Sequence, residues 1–169
     1  MLTRTQVAEE TEPFDIAAQW LQRRTPRGDV LPVLSALLRI APNDRVLTRV
    51  ALRIADSRTD LRAAAGSLAL LLNNPKLSDG ARWRAERWLE ENARNLAALA
   101  VFEAYFRHGA LRRRKPGYAR RALALVHEYP MRAGVGPLLA QLLARFPDDE
   151  VILDDAMDLR ISWEIPANC

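Results

Sequence analysis

The chain has 169 residues, 49% apolar and 27% charged, with a formal net charge of +4. A chain of this make-up buries about two-thirds of its unfolded surface, which excludes global disorder. Its single cysteine, Cys169, excludes an internal disulfide, and arginines interrupt every leucine-rich run short of a membrane span.

The opening segment MLTRTQVAEETEPF lacks the apolar core of a secretory signal, so the expected location is the cytoplasm. Residues 1–12 read as a flexible lead-in, 13–161 as one helical domain and 162–169 as a tail. Alanine, leucine and arginine, all good helix formers, dominate throughout, and no strand pattern emerges.

The first helix is expected from about Pro13 to Arg24, with Phe14, Ala17, Ala18 and Leu21 at helical spacing. Asp29 is the expected N-cap of a second helix reaching Ala41, with Pro32 in its first turn. Asp44 caps a third, where Val46, Leu47, Val50, Ala51 and Ile54 form an apolar stripe. A fourth spans about 60–73. A fifth opens at Ser78 or Asp79 and runs to Asn92, with Ala81, Ala85, Trp88 and Leu89 inward.

The sixth, about 95–108, carries Leu96, Leu99, Phe102, Tyr105 and Phe106 and stops at Gly109. Pro116 starts a seventh that runs to Tyr129; an eighth covers about 134–146. The ninth, about 149–161, opens on Asp148, Asp149 and Glu150, which suit a helix dipole's positive end. Seven glycines occur, nearly all at these borders. Short connections make neighbouring helices antiparallel.

The chain also resembles itself. Residues 32–54 (PVLSALLRIAPNDRVLTRVALRI) and 137–159 (PLLAQLLARFPDDEVILDDAMDL) align without a gap and are identical at eight of 23 positions. The identities include Pro32/Pro137, Leu37/Leu142, Pro42/Pro147, Asp44/Asp149, Val46/Val151 and Ala51/Ala156. Pro75 lies 33 residues after Pro42, and 72 residues separate it from Pro147, two periods of 36. That interval holds two helices and two turns, so the unit is a helical hairpin.

This arrangement of leucine pair, proline, acid, aliphatic and small residue resembles the tetratricopeptide (TPR) family. Ala51, Ala85 and Ala156 match the family's small position, Leu47, Ala81 and Ile152 the large one before it, and Ile54, Trp88 and Leu159 the later large one. Alanine replaces the family's glycine, and the unit around 95–129 has an inserted connector without proline at Leu111. HEAT-like or armadillo-like repeats and a non-repetitive bundle are the alternatives. The resemblance implies an all-α, right-handed solenoid of about four hairpins and nine helices.

Catalytic patterns are missing: no phosphate loop, no GxSxG and no HExxH. His108 and His127 lie 19 residues apart without a metal-spaced neighbour, and Cys169 is terminal. Asp148, Asp149, Glu150, Asp154, Asp155 and Asp158 lack the glycine and alternating oxygens of a calcium loop, so helix capping and solvent exposure account for them. The chain is therefore expected to be no enzyme, with no cofactor, metal or catalytic residue.

From 104 to 127 there are seven basic residues (Arg107, Arg112, Arg113, Arg114, Lys115, Arg120, Arg121) and no acid, interleaved with Tyr105, Phe106 and Tyr118. Three readings stand: a solvated connector, a patch for an acidic protein, or a nucleic-acid or anionic-membrane contact. The Arg112–Lys115 segment is also complementary to the acids of 148–158 in another copy, which would give a head-to-tail homo-oligomer.

The function expected is that of an adaptor binding a partner protein or an acidic or C-terminal peptide. The resemblance places Arg45, Thr48 and Asp56, then Arg82, Glu86 and Glu90, then Arg120, His127 and Glu128 on a concave surface. Arg45, Arg82 and Arg120 would form a row of guanidinium groups suited to carboxylates. Trp83 and Trp88, five apart, cannot both point inward, and an exposed one is a contact candidate; Trp163 is expected to cover the end of the stack. A helical-repeat nucleic-acid binder using Arg107–Arg121 and a sensor segment of a larger protein are the alternative functions.

Overall fold

The computed structural model describes residues 4–23, 28–74, 77–109, 116–130 and 132–164. Among these, the regular structure is entirely helical. The α-helices are α1 (Arg4–Arg23), α2 (Leu31–Ile40), α3 (Arg45–Ala55), α4 (Leu61–Leu72), α5 (Asp79–Asn92), α6 (Ala98–Ala104), α7 (Pro116–Glu128), α8 (Val135–Arg145) and α9 (Glu150–Glu164). No helix is long and apolar enough to cross a membrane.

Several helix starts follow from their caps. The Asp44 carboxylate accepts from the Val46 and Leu47 amides at 2.8 and 2.9 Å, Asp60 from Ala63 at 2.9 Å, and the Ser78 hydroxyl from Ala81 at 3.4 Å. Each satisfies amides that a helix start leaves without partners. Two starts differ from expectation. Asp29 sits in a 3₁₀ turn (Gly28–Val30), and α2 begins at Leu31 with no side-chain cap. The first helix begins at Arg4 rather than Pro13, which lies inside it. Residues 4–12 are therefore helical, because alanine and the three glutamates favour a helix strongly enough to accommodate one interior proline. At the other end α9 continues to Glu164, so 162–164 extend the helix rather than begin the tail.

The two similar segments have matching helix boundaries at three places. Helix ends Arg23 and Glu128, helix ends Ile40 and Arg145, and helix starts Arg45 and Glu150 are each 105 positions apart. Both prolines follow a residue with nearly the same backbone, Ala41 at φ −128°, ψ 73° and Phe146 at φ −125°, ψ 55°. Both next helices are capped by aspartate, with the Asp149 carboxylate accepting from the Ile152 amide at 3.2 Å. Leu34/Leu139, Leu37/Leu142, Leu47/Ile152, Ala51/Ala156 and Ile54/Leu159 are all buried.

The helices in extensive contact are one or two apart along the chain. The even-numbered helices pack in series, α2 on α4, α4 on α6 and α6 on α8, while α3 packs on α1 and α9 on α7. A run of small residues lets α4 sit close to its neighbours. Ser67, fully buried, donates to the Ala51 carbonyl at 2.6 Å, and a Cβ on Gly66 would lie 3.1 Å from Leu31 Cδ1. Asn74 Nδ2 donates to the Pro42 carbonyl at 2.6 Å, stacking two successive turns 32 residues apart.

Helix α6 buries Ala98, Leu99, Val101, Phe102 and Ala104, with Ala100 exposed and Glu103 half-buried, so it is covered over most of its circumference. It continues into a π turn, Tyr105–Gly109. The wider turn allows consecutive aromatics to be buried in different directions. Tyr105 meets Tyr118 of α7 at 5.5 Å between ring centroids, and Phe106 meets Phe146 at the end of α8 at 6.0 Å. Arg145 closes this joint by donating to the Arg107 carbonyl at 2.9 Å.

Candidate functional site: two clefts flanking α5

Helix α5 buries a narrow stripe, Ala81, Ala85, Trp88 and Leu89, against α4 and α6. A stripe of two small and two large side chains covers only part of the circumference, so both flanks stay open. One flank presents Trp83 and Arg87, the other Glu86 and Glu90, each pair one helical turn apart. An open cleft adjoins each flank.

The first cleft, toward α3, has a volume of about 840 Å³ and is lined by Asp56, Leu61, Trp83, Arg84, Arg87 and Trp88 among others. Trp83 is 57% exposed, whereas Trp88 is buried, so the two tryptophans divide as their spacing requires. The Arg87 guanidinium lies 5.6 Å from the Trp83 ring centre and pairs with Glu91 at 3.1 Å. Arg84 reaches across to Asp56 at 3.1 Å. Such exposed pairs contribute little stability. They do hold guanidinium groups around an aromatic surface.

The second cleft, toward α7, has a volume of about 1040 Å³ and is lined by Glu90, Glu91, Arg94, Arg120, Arg121 and Glu128 among others. Beside it, the buried Tyr118 ties α7 to α5. The phenol donates to the Glu90 carboxylate at 2.8 Å and lies 3.4 Å from the Glu86 carbonyl oxygen, while Arg121 sits 5.8 Å from its ring centre. Glu86 in turn accepts from the Tyr105 hydroxyl at 3.0 Å. Burial, followed by the hydrogen bond and negative charge of Glu90, pushes the Tyr118 phenol far above its ordinary ionisation range.

The expected contact residues are thus only partly gathered. Arg120, Glu90 and Glu128 share the second cleft, and Trp83 and Asp56 share the first. Arg45 and His127 are exposed, Arg82 is half-buried and Glu86 bridges to α6, and none of these four lines either cleft. Arg112, Arg113, Arg114 and Lys115 lie outside the described residues, as do Cys169 and the side chains of His108 and Trp163.

One expectation is corrected. Tyr105, Phe106 and Tyr118 are buried in the α6–α7–α8 joint and offer no surface on which a base could stack. The contribution of Arg84, Arg87 and Arg94 was missed. Its signal was the spacing Trp83–Arg87–Glu91, one turn per step along a single helix face. Among the described residues no three His, Cys, Asp or Glu side chains are grouped to hold a metal. The chain matches no protein-family model, no curated protein and no solved structure.

Proposed function

We propose that the chain is a TPR-like, right-handed helical-repeat adaptor without chemistry of its own, which binds a partner protein through an acidic or C-terminal peptide held against α5. The observation that carries this reading is Trp83, 57% exposed and flanked by Arg84 and Arg87, beside an open cleft of about 840 Å³. Tryptophan and arginine are the side chains most enriched among interface residues that dominate affinity. A guanidinium fork takes a carboxylate with paired hydrogen bonds, and on the other flank Arg94, Arg120 and Arg121 offer further forks beside Glu90, Glu91 and Glu128. The repeat reading is supported by the common turn geometry 105 positions apart and by the stacked turns at Pro42 and Asn74.

Fluorescence polarisation with an acidic peptide library, bearing either free or amidated C-termini, tests it. Binding is expected to fall about tenfold or more for Trp83→Ala and for Arg120→Glu, with melting temperature unchanged, because both side chains are exposed. Arg82→Glu, on the expected concave row, distinguishes a groove along that row from the two clefts. Unchanged affinity at both Trp83 and Arg120 rejects this site. Tight oligonucleotide binding that falls steeply with salt would replace the reading by nucleic-acid recognition through the basic stretch.

A further inference from the structure

The two similar segments differ in one systematic way. Where the fold dictates the side chain they agree: Asp44 and Asp149 cap a helix, and Leu47/Ile152, Ala51/Ala156 and Ile54/Leu159 are buried. On the outward side of that helix the sign of the charge is reversed. Arg45, Arg49 and Arg53 of α3 correspond to Glu150, Asp154 and Asp158 of α9, each 105 positions later, and all six are exposed. The charges of each set are four residues apart, so each set forms a stripe with about 6 Å between successive levels. The same two apolar positions edge both stripes, Val46 and Leu52 on α3, Val151 and Met157 on α9. Three like charges at this spacing disfavour the helix that carries them. Among the described residues, the side chains of Arg45, Arg49, Arg53, Glu150 and Asp154 enter no hydrogen bond or ion pair, whereas Asp158 already has a partner. Helices α3 and α9 are in no extensive contact with each other.

We infer that the arginine stripe of α3 binds the acidic stripe of α9 in a second copy, and the reverse, giving a two-fold dimer. A second copy is the occupant because it brings charges of matching spacing to both stripes at once. An acidic peptide on α3 would leave α9 uncompensated, and a nucleic acid would be repelled by α9. The spacing matches whether the two helices run parallel or antiparallel, since Arg49 and Asp154 lie at the centres of their stripes. Two surfaces of one chain, each complementary to the other, meet the reciprocity that an isologous interface requires. Exposed ion pairs are individually weak and screened by salt. The contact therefore depends on both sets of pairs acting together, with Val46, Leu52, Val151 and Met157 closing around them. It uses the same acids as a contact with the Arg112–Lys115 segment would, but a different basic surface.

Sedimentation equilibrium of the full chain is the test, at low salt and at about 1 M salt, where the Debye length is only about 3 Å. The wild type is expected at twice the chain mass of 19.1 kDa in low salt and as a monomer in high salt. Arg49→Glu and Asp154→Arg should each raise the dissociation constant about tenfold or more. Each reversal also places opposite charges one turn apart on its own helix, so in high salt both variants should melt no lower than the wild type by circular dichroism. Mixing the two variants should restore the dimer, because glutamate 49 of one then faces arginine 154 of the other while Arg49 and Asp154 still meet at the second contact. A monomer in low salt at every concentration overturns the inference, as does a mixture that stays monomeric. Association broken by Asp154→Arg but indifferent to Arg49→Glu overturns it in favour of the 112–115 segment. A mass that keeps growing with concentration overturns the closed two-fold pairing.

Discussion

Removing a single oxygen at Tyr118 tests how α7 is held to α5. In Tyr118→Phe the ring stays in its buried place, but the bond to the Glu90 carboxylate at 2.8 Å is lost. Hydrogen bonds to charged groups contribute about 1.5–3 kcal/mol. Glu90 is exposed and regains water when released, so the expected loss is the lower part of that range, about 1.5–2 kcal/mol. For a chain of this size that corresponds to a fall of about 3–6 °C in Tm by calorimetry at neutral pH. The pH dependence is more specific. The folded phenol ionises well above its ordinary value of 10.0, chiefly through burial and then through Glu90. Its stabilising contribution is therefore complete below about pH 10 and is lost as the pH rises beyond it, where the unfolded phenol ionises first. The gap between wild type and Tyr118→Phe should close between about pH 9.5 and 11. A gap that stays constant or widens over that range, or strict additivity of Tyr118→Phe with Glu90→Gln in a double-mutant cycle, refutes the assigned bond.

Asp44→Ala and Asp149→Ala each remove the cap at equivalent helix starts, and each should cost about 1 kcal/mol in urea unfolding. The two losses should add, since the sites share no partner. Gly134, with φ at 95°, opens α8 in the left-handed region, and Gly134→Ala should cost about 1–2 kcal/mol in the same assay. Gly117, where a Cβ meets nothing within 4 Å, should instead tolerate alanine with a gain of about 0.5 kcal/mol.

Much of this fold is legible in the sequence, for identifiable reasons. Caps at Asp44 and Ser78 and proline at Pro116 are local signals, and the corresponding helices start where those residues stand. The burial of Trp88 with Trp83 outside follows from angular spacing alone. Helix α1 was misread because Pro13 resembles a first-turn proline and the glutamates before it form no apolar stripe, although an exposed helix needs none. The π turn leaves no mark on periodicity. The burial of Tyr118 depends on α5 and on Tyr105 of the π turn arriving from elsewhere in the chain, which the nearby arginines concealed. The clefts were illegible for a related reason. They are lined by residues of separate helices that meet only when the chain packs.

Helix α6 has a consequence for how the chain comes apart. Arrays of hairpins that touch only their neighbours can lose units one at a time from either end. Here the middle rod is wrapped by α4, α5, α7 and α8 together, so peeling either half strips its aromatic sheath and exposes Phe102 and Phe106 to water. Melting is then a concerted event across both halves, with a single calorimetric peak, and the modular look of the sequence does not carry over into modular unfolding.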